Sequence, residues 1–210
     1  MSKVKVSMAV SLDGFAAGPN QSVEEPLGEG GERLHEWMIG LEIFRRTHGG
    51  EGGEVNASTP IVEDFLDVGA FVMGRNMFGG GPGGWDESWR GWWGEDPPYH
   101  APVFVLTHHP REPLPMRGGT SFTFVTDGIE SALARARAAA GQADVAIAGG
   151  AATVNHYLAA GLIDELRLHL APVVLGAGER LFDGVADLTL EPIGAVGNDL
   201  VTHLSYRVIR

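Results

Sequence analysis

Two glycines between an apolar run and a helical stretch are the clearest chemical feature of this 210-residue chain. Val145, Ala146, Ile147 and Ala148 form a short run of the kind that fills a covered sheet position. Gly149 and Gly150 follow directly, and without Cβ atoms they let a ligand or another backbone approach closely. The helix expected over Thr153 to Ala160 leaves free amide donors beside them, where the helix dipole favours an anion. This is a phosphate cradle in outline, although the same residues also suit a plain strand-to-helix turn. A second strand end carries Gly74-Arg75, where a guanidinium fork can lie on a phosphate. Asp13 suits either a site carboxylate or a turn that bonds its own backbone. His108 and His109 are adjacent in a loop without an acidic or histidine partner at helical spacing, so no metal is expected.

The elements that must position these groups follow from periodicity. Lys3 to Leu12 alternates polar residues with Val4, Val6, Met8 and Val10, the pattern of a strand with one face in the core. Glu32 to Arg46 places Leu34, Trp37, Met38, Leu41 and Phe44 at helical spacing, so one stripe faces a core or a pocket. Ser58 or Thr59 before Pro60 predicts a hydroxyl-capped helix start. Buried strands are expected over Gly69 to Met73, Val103 to Thr107 and Phe122 to Val125, and a helix over Ile129 to Ala140. Gly79, Gly81 and Gly84 match a dinucleotide GxGxxG pattern, but Pro82 sits inside it and no apolar helix follows. Trp85, Trp89, Trp92 and Trp93 either plug a core edge or line the pocket of a flat heterocycle, with their loop as a lid. The strand-rich stretch from Glu165 to Ile209 has no room for helices between strands, so an antiparallel C-terminal third joined to parallel βα units is expected, in one domain over 1–210.

Composition narrows the function. A formal net charge of −12 with only 15 Lys and Arg argues against a nucleic-acid surface. The absence of cysteine removes disulfides, thiolate metal sites and a cysteine nucleophile together. Without an apolar run near the roughly 18 residues that span a bilayer, or a signal-peptide pattern at the start, a cytoplasmic protein without membrane contact is expected.

Three strand ends carry polar or glycine chemistry: Gly74-Arg75, Thr107-His108 and Gly149-Gly150. The carboxyl ends of strands line the ligand crevice of an open α/β sheet, so all three are expected at one site. Met73 to Phe78 and Ile147 to Val154 resemble the two cofactor-binding segments of the dihydrofolate reductase superfamily. Ser11-Leu12-Asp13-Gly14-Phe15, Gly161 to Leu166 and Ala171 to Gly176 are similar to the RibD C-terminal reductase branch, and the resemblance spans nearly the whole chain.

The resemblance implies a three-layer α/β/α fold that binds NADPH and reduces a C=N or C=O group of a small heterocyclic substrate. That substrate would be of the 5-amino-6-(5-phosphoribosylamino)uracil or pterin type, and the protein a homodimer. Carried over by position, Gly149, Gly150, Ala151 and Thr153 would hold the pyrophosphate, and Gly74 and Arg75 would add phosphate contacts. Thr107 and His108 would sit near the adenosine end, and Arg111 would meet the 2′-phosphate. Two departures matter. The carboxylate that stands three residues before the helix tryptophan in dihydrofolate reductases is Leu34 here, and the glutamate typical before the paired glycines in riboflavin-pathway reductases is Ala148. Asp13 and His35 are the catalytic candidates that remain; His35 lies nearest the Leu34 direction and ordinarily titrates near neutral pH. The alternative reading is an NADP-binding module without catalysis, which cofactor oxidation would separate from an enzyme.

Overall fold

The period-two alternation at the start produces β1 (Val4–Val10), which buries Val4, Val6, Met8 and Val10 on one face and turns Lys5, Ser7 and Ala9 to the other. After it come β2 (Phe15–Ala17), a 3-10 turn (Gly31–Leu34), α1 (Glu36–Ile39), α2 (Glu42–Thr47) and α3 (Thr59–Leu66). The next units are β3 (Ala70–Gly74) with α4 (Arg75–Phe78), β4 (Pro102–Leu106), β5 (Leu114–Pro115), β6 (Ser121–Val125) with α5 (Ile129–Ala140), and β7 (Val145–Gly149) with α6 (Ala151–Ala159). The chain closes on β8 (Glu165–Leu170), β9 (Glu179–Arg180), β10 (Thr189–Gly197) and β11 (Thr202–Ile209). These elements come from a computed structural model that describes residues 2–81 and 83–209, so Pro82 lies outside the described residues.

Nine strands form one sheet in the order β10-β11-β8-β1-β7-β3-β4-β6-β5. Pairing is parallel from β8 through β6 and antiparallel at the β8, β11 and β10 end and at β5. The expected mixed sheet with antiparallel C-terminal strands is therefore present. On one face, α5 and α6 bring Ala132, Leu133, Val154, Tyr157 and Leu158 against Val6, Val72 and Ile147. The other face carries two clusters, one of Trp37, Leu41, Ile43 and Val62 and one of Phe71, Phe78, Tyr99 and Phe122.

Three local expectations are corrected. The Glu32 to Arg46 stretch is not one helix: the 3-10 turn ends at His35, α1 stops at Gly40, and Leu41 turns extended to bridge Glu54. Its stripe is still core, since Leu34, Trp37 and Leu41 are buried. The tryptophans are not a lid. Trp85, Trp89 and Trp93 pack against the Phe78 cluster, with Trp85 edge-on to Phe124 at 4.9 Å and Trp93 to Tyr99 at 5.1 Å, and the indole N–H groups of Trp85 and Trp89 donate to the carbonyls of His109 and Phe78. Withdrawing aromatic surface of this kind costs about 1.5–3 kcal/mol per side chain. Ser58 does precede α3, but its hydroxyl makes no cap bond and faces His203 at 2.8 Å instead.

That contact belongs to a buried polar seam between sheet and helices. Ser7 Oγ lies 2.6 Å from His169 Nε2, His169 Nδ1 lies 2.7 Å from His203 Nδ1, and Asn198 Nδ2 donates to Ser58 Oγ at 3.1 Å. Burial pushes both imidazoles down, His203 to about 4 and His169 well below its ordinary value, and the Arg167 charge acts in the same direction. Folded chains therefore keep both rings neutral while unfolded chains take up protons below pH 6.5. The stabilisation is complete above about pH 6.5 and is lost as the pH falls from there toward 4. After allowance for solvent near the seam, about 2 kcal/mol should disappear over this window. Urea unfolding at pH 7.5, 6 and 4.5 measures it, and replacing His203 with a non-titrating residue should flatten the dependence.

Candidate functional site

Parallel pairing aligns the chemistry-bearing ends of three strands. Met73 on β3 pairs with Gly149 on β7, and Gly74 pairs with Leu106 on β4, just before Thr107. Gly74 and Thr153 meet across the gap, so close that a Cβ on Gly74 would fall 2.2 Å from Thr153 Oγ1. Gly149 has φ +129°, a region side chains rarely adopt, and the Gly149–Gly150 peptide bond is cis. Gly150 precedes the nine-residue α6 in an ordinary extended conformation, and nothing lies within 4 Å of where its Cβ would be. The first amides of α6, from Ala151 through Thr153, lack intrahelical partners and stand beside this open position. A separate cavity of about 420 Å³ is lined by Asn76, the 18–21 loop and Gly178-Glu179.

Arg75 and Arg111, distant in sequence, converge on the Trp85 indole. The Arg75 guanidinium lies 3.8 Å from the ring centroid and that of Arg111 5.2 Å away. Arg75 Nη2 donates to the carbonyls of Gly81 and Gly84, and Arg111 Nη2 to those of Trp89 and Glu87. Among the described residues, Arg75 Nε and Nη1 and Arg111 Nη1 are buried and have no partner. Burial, and then the neighbouring Arg111 charge, disfavour the charged form of Arg75. Arg111 Nε also pairs with the Glu87 carboxylate at 3.4 Å, but the unmet donors of both groups are costly to leave alone, and an anion bound to them would remove that penalty. The glycine cradle and these orphaned donors fit a phosphorylated dinucleotide.

The remaining candidates divide. Thr107 is buried, and its hydroxyl accepts from the His109 amide, which shapes the loop, while His108 is exposed. Among the described residues no group of His, Cys, Asp or Glu could hold a metal ion. Asp13 is engaged by its neighbours. Its carboxylate accepts from Ser11 Oγ at 2.6 Å and from the amides of Leu175 and Gly176 at 3.1 and 2.7 Å, tying the turn after β1 to the 175–176 loop. These bonds, that from Ser11 foremost, lower its pKa to about 2, so it holds no proton to give at neutral pH. His35 stands at the junction of the 3-10 turn and α1 with Nδ1 buried and unpartnered, and burial lowers its pKa. Leu34 is fully buried among Ala9, Ala171 and Val173, so the position of the missing acid is apolar.

Sequence reasoning did not single out Ser7, His169 and His203. The available signal was a histidine at an inward position of each of two apolar strand runs, where a lone polar ring needs a partner.

The RibD C-terminal domain profile matches residues 2–202. An uncharacterized Bacillus subtilis (strain 168) protein, YyaP, is 30% identical over 191 residues, 86% of this chain and 80% of that one. Among solved structures, a candidate riboflavin biosynthesis protein from Shewanella sp. PV-4 aligns with a TM-score of 0.64 at 24% identity over 99% of both chains. Dihydrofolate reductase from Enterococcus faecalis, complexed with NADP(H), aligns with a TM-score of 0.51 at 15% identity over 99% of this chain and 97% of the other. At these identities the two structures share the fold.

Proposed function

The chain belongs to the RibD C-terminal domain family, and from that premise we propose that it is an NADPH-dependent reductase acting on a small heterocyclic substrate. The observation that carries the reading is the pair of guanidinium groups near the Trp85 ring, whose buried donors lack partners among the described residues. They lie beyond a strand end adjacent to the open glycine cradle, so one extended ligand with separated phosphates would satisfy both places. The nicotinamide cofactor supplies the hydride when bound. The amides at the start of α6 and the Thr153 hydroxyl bind the pyrophosphate, and Arg75 and Arg111 bind the 2′-phosphate. Thr107 and His108 flank the adenosine end. Asp13 keeps the turn after β1 closed on the 175–176 loop, which holds the reaction side of the cleft in place. His35 is the polar side chain left to order the proton-donating group. The exposed nine-residue edge strand β10, with Ile193 and Val196 uncovered, is the surface on which a homodimer would pair.

Affinity for NADPH should exceed that for NADH by about 10- to 100-fold, since a charge-assisted bond to the 2′-phosphate is worth about 1.5–3 kcal/mol. Calorimetry with each cofactor measures this, and equal affinities would sink the reading. With Leu34 where an acid would stand, dihydrofolate should not be reduced at ordinary enzyme rates of about 10 per second at any pH from 5 to 9. A second reading, a cofactor-binding module without catalysis, is favoured by that apolar position and by the full occupation of Asp13. NADPH oxidation in the presence of aminopyrimidine, pterin and simple carbonyl substrates separates the two.

A further inference from the structure

The polar seam supports the segment that carries Leu34, His35 and Trp37. The Trp37 indole rests on both histidines, 4.9 Å from His169 at 54° and 4.9 Å from His203 at 75°, and its N–H donates to the Leu34 carbonyl at 3.0 Å. The seam draws on five places in the chain: Ser7 on β1, His169 on β8, His203 on β11, Ser58 before α3, and Asn198 between β10 and β11. Two imidazole nitrogens 2.7 Å apart share one proton. One assignment satisfies every member: Asn198 donates to Ser58, Ser58 to His203 Nε2, His203 Nδ1 to His169 Nδ1, and His169 Nε2 to Ser7.

We propose that His169 and His203 are positioning residues for the 31–39 segment, and that adding a proton to the pair unseats Trp37 and releases this segment from the sheet. The proposal rests on the functional reading only in taking 31–39 as the substrate side of the cleft. The groups facing the pair are Ser7 from β1, His35 and Trp37 from the segment itself, Ser58 and Asn198 at the far end, and Arg167 from β8. Arg167 is engaged with Asp64, and none of the facing groups is a carboxylate that could balance a new positive charge. An added proton on His169 Nδ1 would set two N–H donors against each other across the 2.7 Å contact, and one on His203 Nε2 would leave the Ser58 hydroxyl proton without its acceptor. The charge would lie in a buried layer that already holds the Arg167 guanidinium. The resistance of both rings to protonation, which burial and these cations produce, is consistent with a release that occurs only in acid.

The test follows the Trp37 indole N–H, identified by its loss in Trp37→Phe, in nitrogen-proton spectra of the full chain from pH 7.5 to 4. Histidine nitrogen spectra are recorded alongside. At pH 7.5 both rings should be neutral, with a scalar coupling across the Nδ1 to Nδ1 hydrogen bond. On acidification the Trp37 signal should move in one step, with a midpoint at least one pH unit below the ordinary histidine value of about 6.5. The step should coincide with loss of the coupling and precede the loss of far-ultraviolet dichroism. The double variant His169→Gln/His203→Gln offers Ser7 and Ser58 uncharged amide partners and should lack the step, with NADPH affinity at pH 7.5 within about threefold of the parent. A step that persists in the double variant, or a wild-type signal that moves only with global unfolding, overturns the proposal. If the double variant does not fold, the wild-type order of events decides. Failure of the wild type to bind NADPH counts against the functional reading and leaves the Trp37 test intact.

Discussion

Gly150→Val is expected to weaken NADPH binding by about 100-fold, close to 2.7 kcal/mol, with the unfolding temperature within a few degrees of wild type. The fold should tolerate the change because Gly150 has φ −71° and ψ −170°, which a β-branched residue adopts readily, and no atom lies within 4 Å of its Cβ position. That same space is the approach to the free amides at the start of α6, so the added methyls would stand where a pyrophosphate must come. Gly74→Val is the contrasting control. Its Cβ would fall 2.2 Å from Thr153 Oγ1, and it should cost stability as well as affinity. Calorimetric titration with NADPH and a thermal melt on both variants distinguish the two outcomes. Normal NADPH affinity in folded Gly150→Val would show that the glycine pair serves only the turn.

Arg75→Ala should reduce NADPH affinity by about 10- to 100-fold and leave NADH affinity nearly unchanged, because the lost interaction is a charge-assisted hydrogen bond to the phosphate that NADH lacks. The fold pays little for the substitution. It removes the stacking of Arg75 on Trp85 and its bonds to the Gly81 and Gly84 carbonyls but also relieves a like-charged neighbour and two unmet donors. Arg75→Lys should not restore the preference, since an ammonium lacks the planar fork. Quenching of tryptophan fluorescence, with Trp85 beside both arginines as reporter, gives both dissociation constants. Equal losses for the two cofactors would move Arg75 from the 2′-phosphate to the pyrophosphate.

The elements that could be read directly are those whose signal is local. β1 declared itself by alternation, β3 and β7 by short apolar runs ending in glycine, and α5 by its alanine-rich run before Gly141. Each pattern is set by the backbone period, which neighbouring residues alone determine. The glycine cradle was legible for the same reason, because the strand, the glycines and the helix that build it are consecutive. Partnerships across the chain were not. Arg75 and Arg111 are 36 positions apart and meet only where the fold brings both to the Trp85 ring. Asp13 suits a site or a turn on local grounds, and it is the 175–176 amides, some 162 residues away, that occupy its carboxylate. Ser58 had every local mark of a helix cap, yet its hydroxyl serves His203, 145 residues on. In each case the sequence determined which groups were present, while the sheet order determined which of them were desolvated together. Desolvation decides whether a polar atom must find a partner, and so it is the tertiary structure that assigns these side chains their bonds.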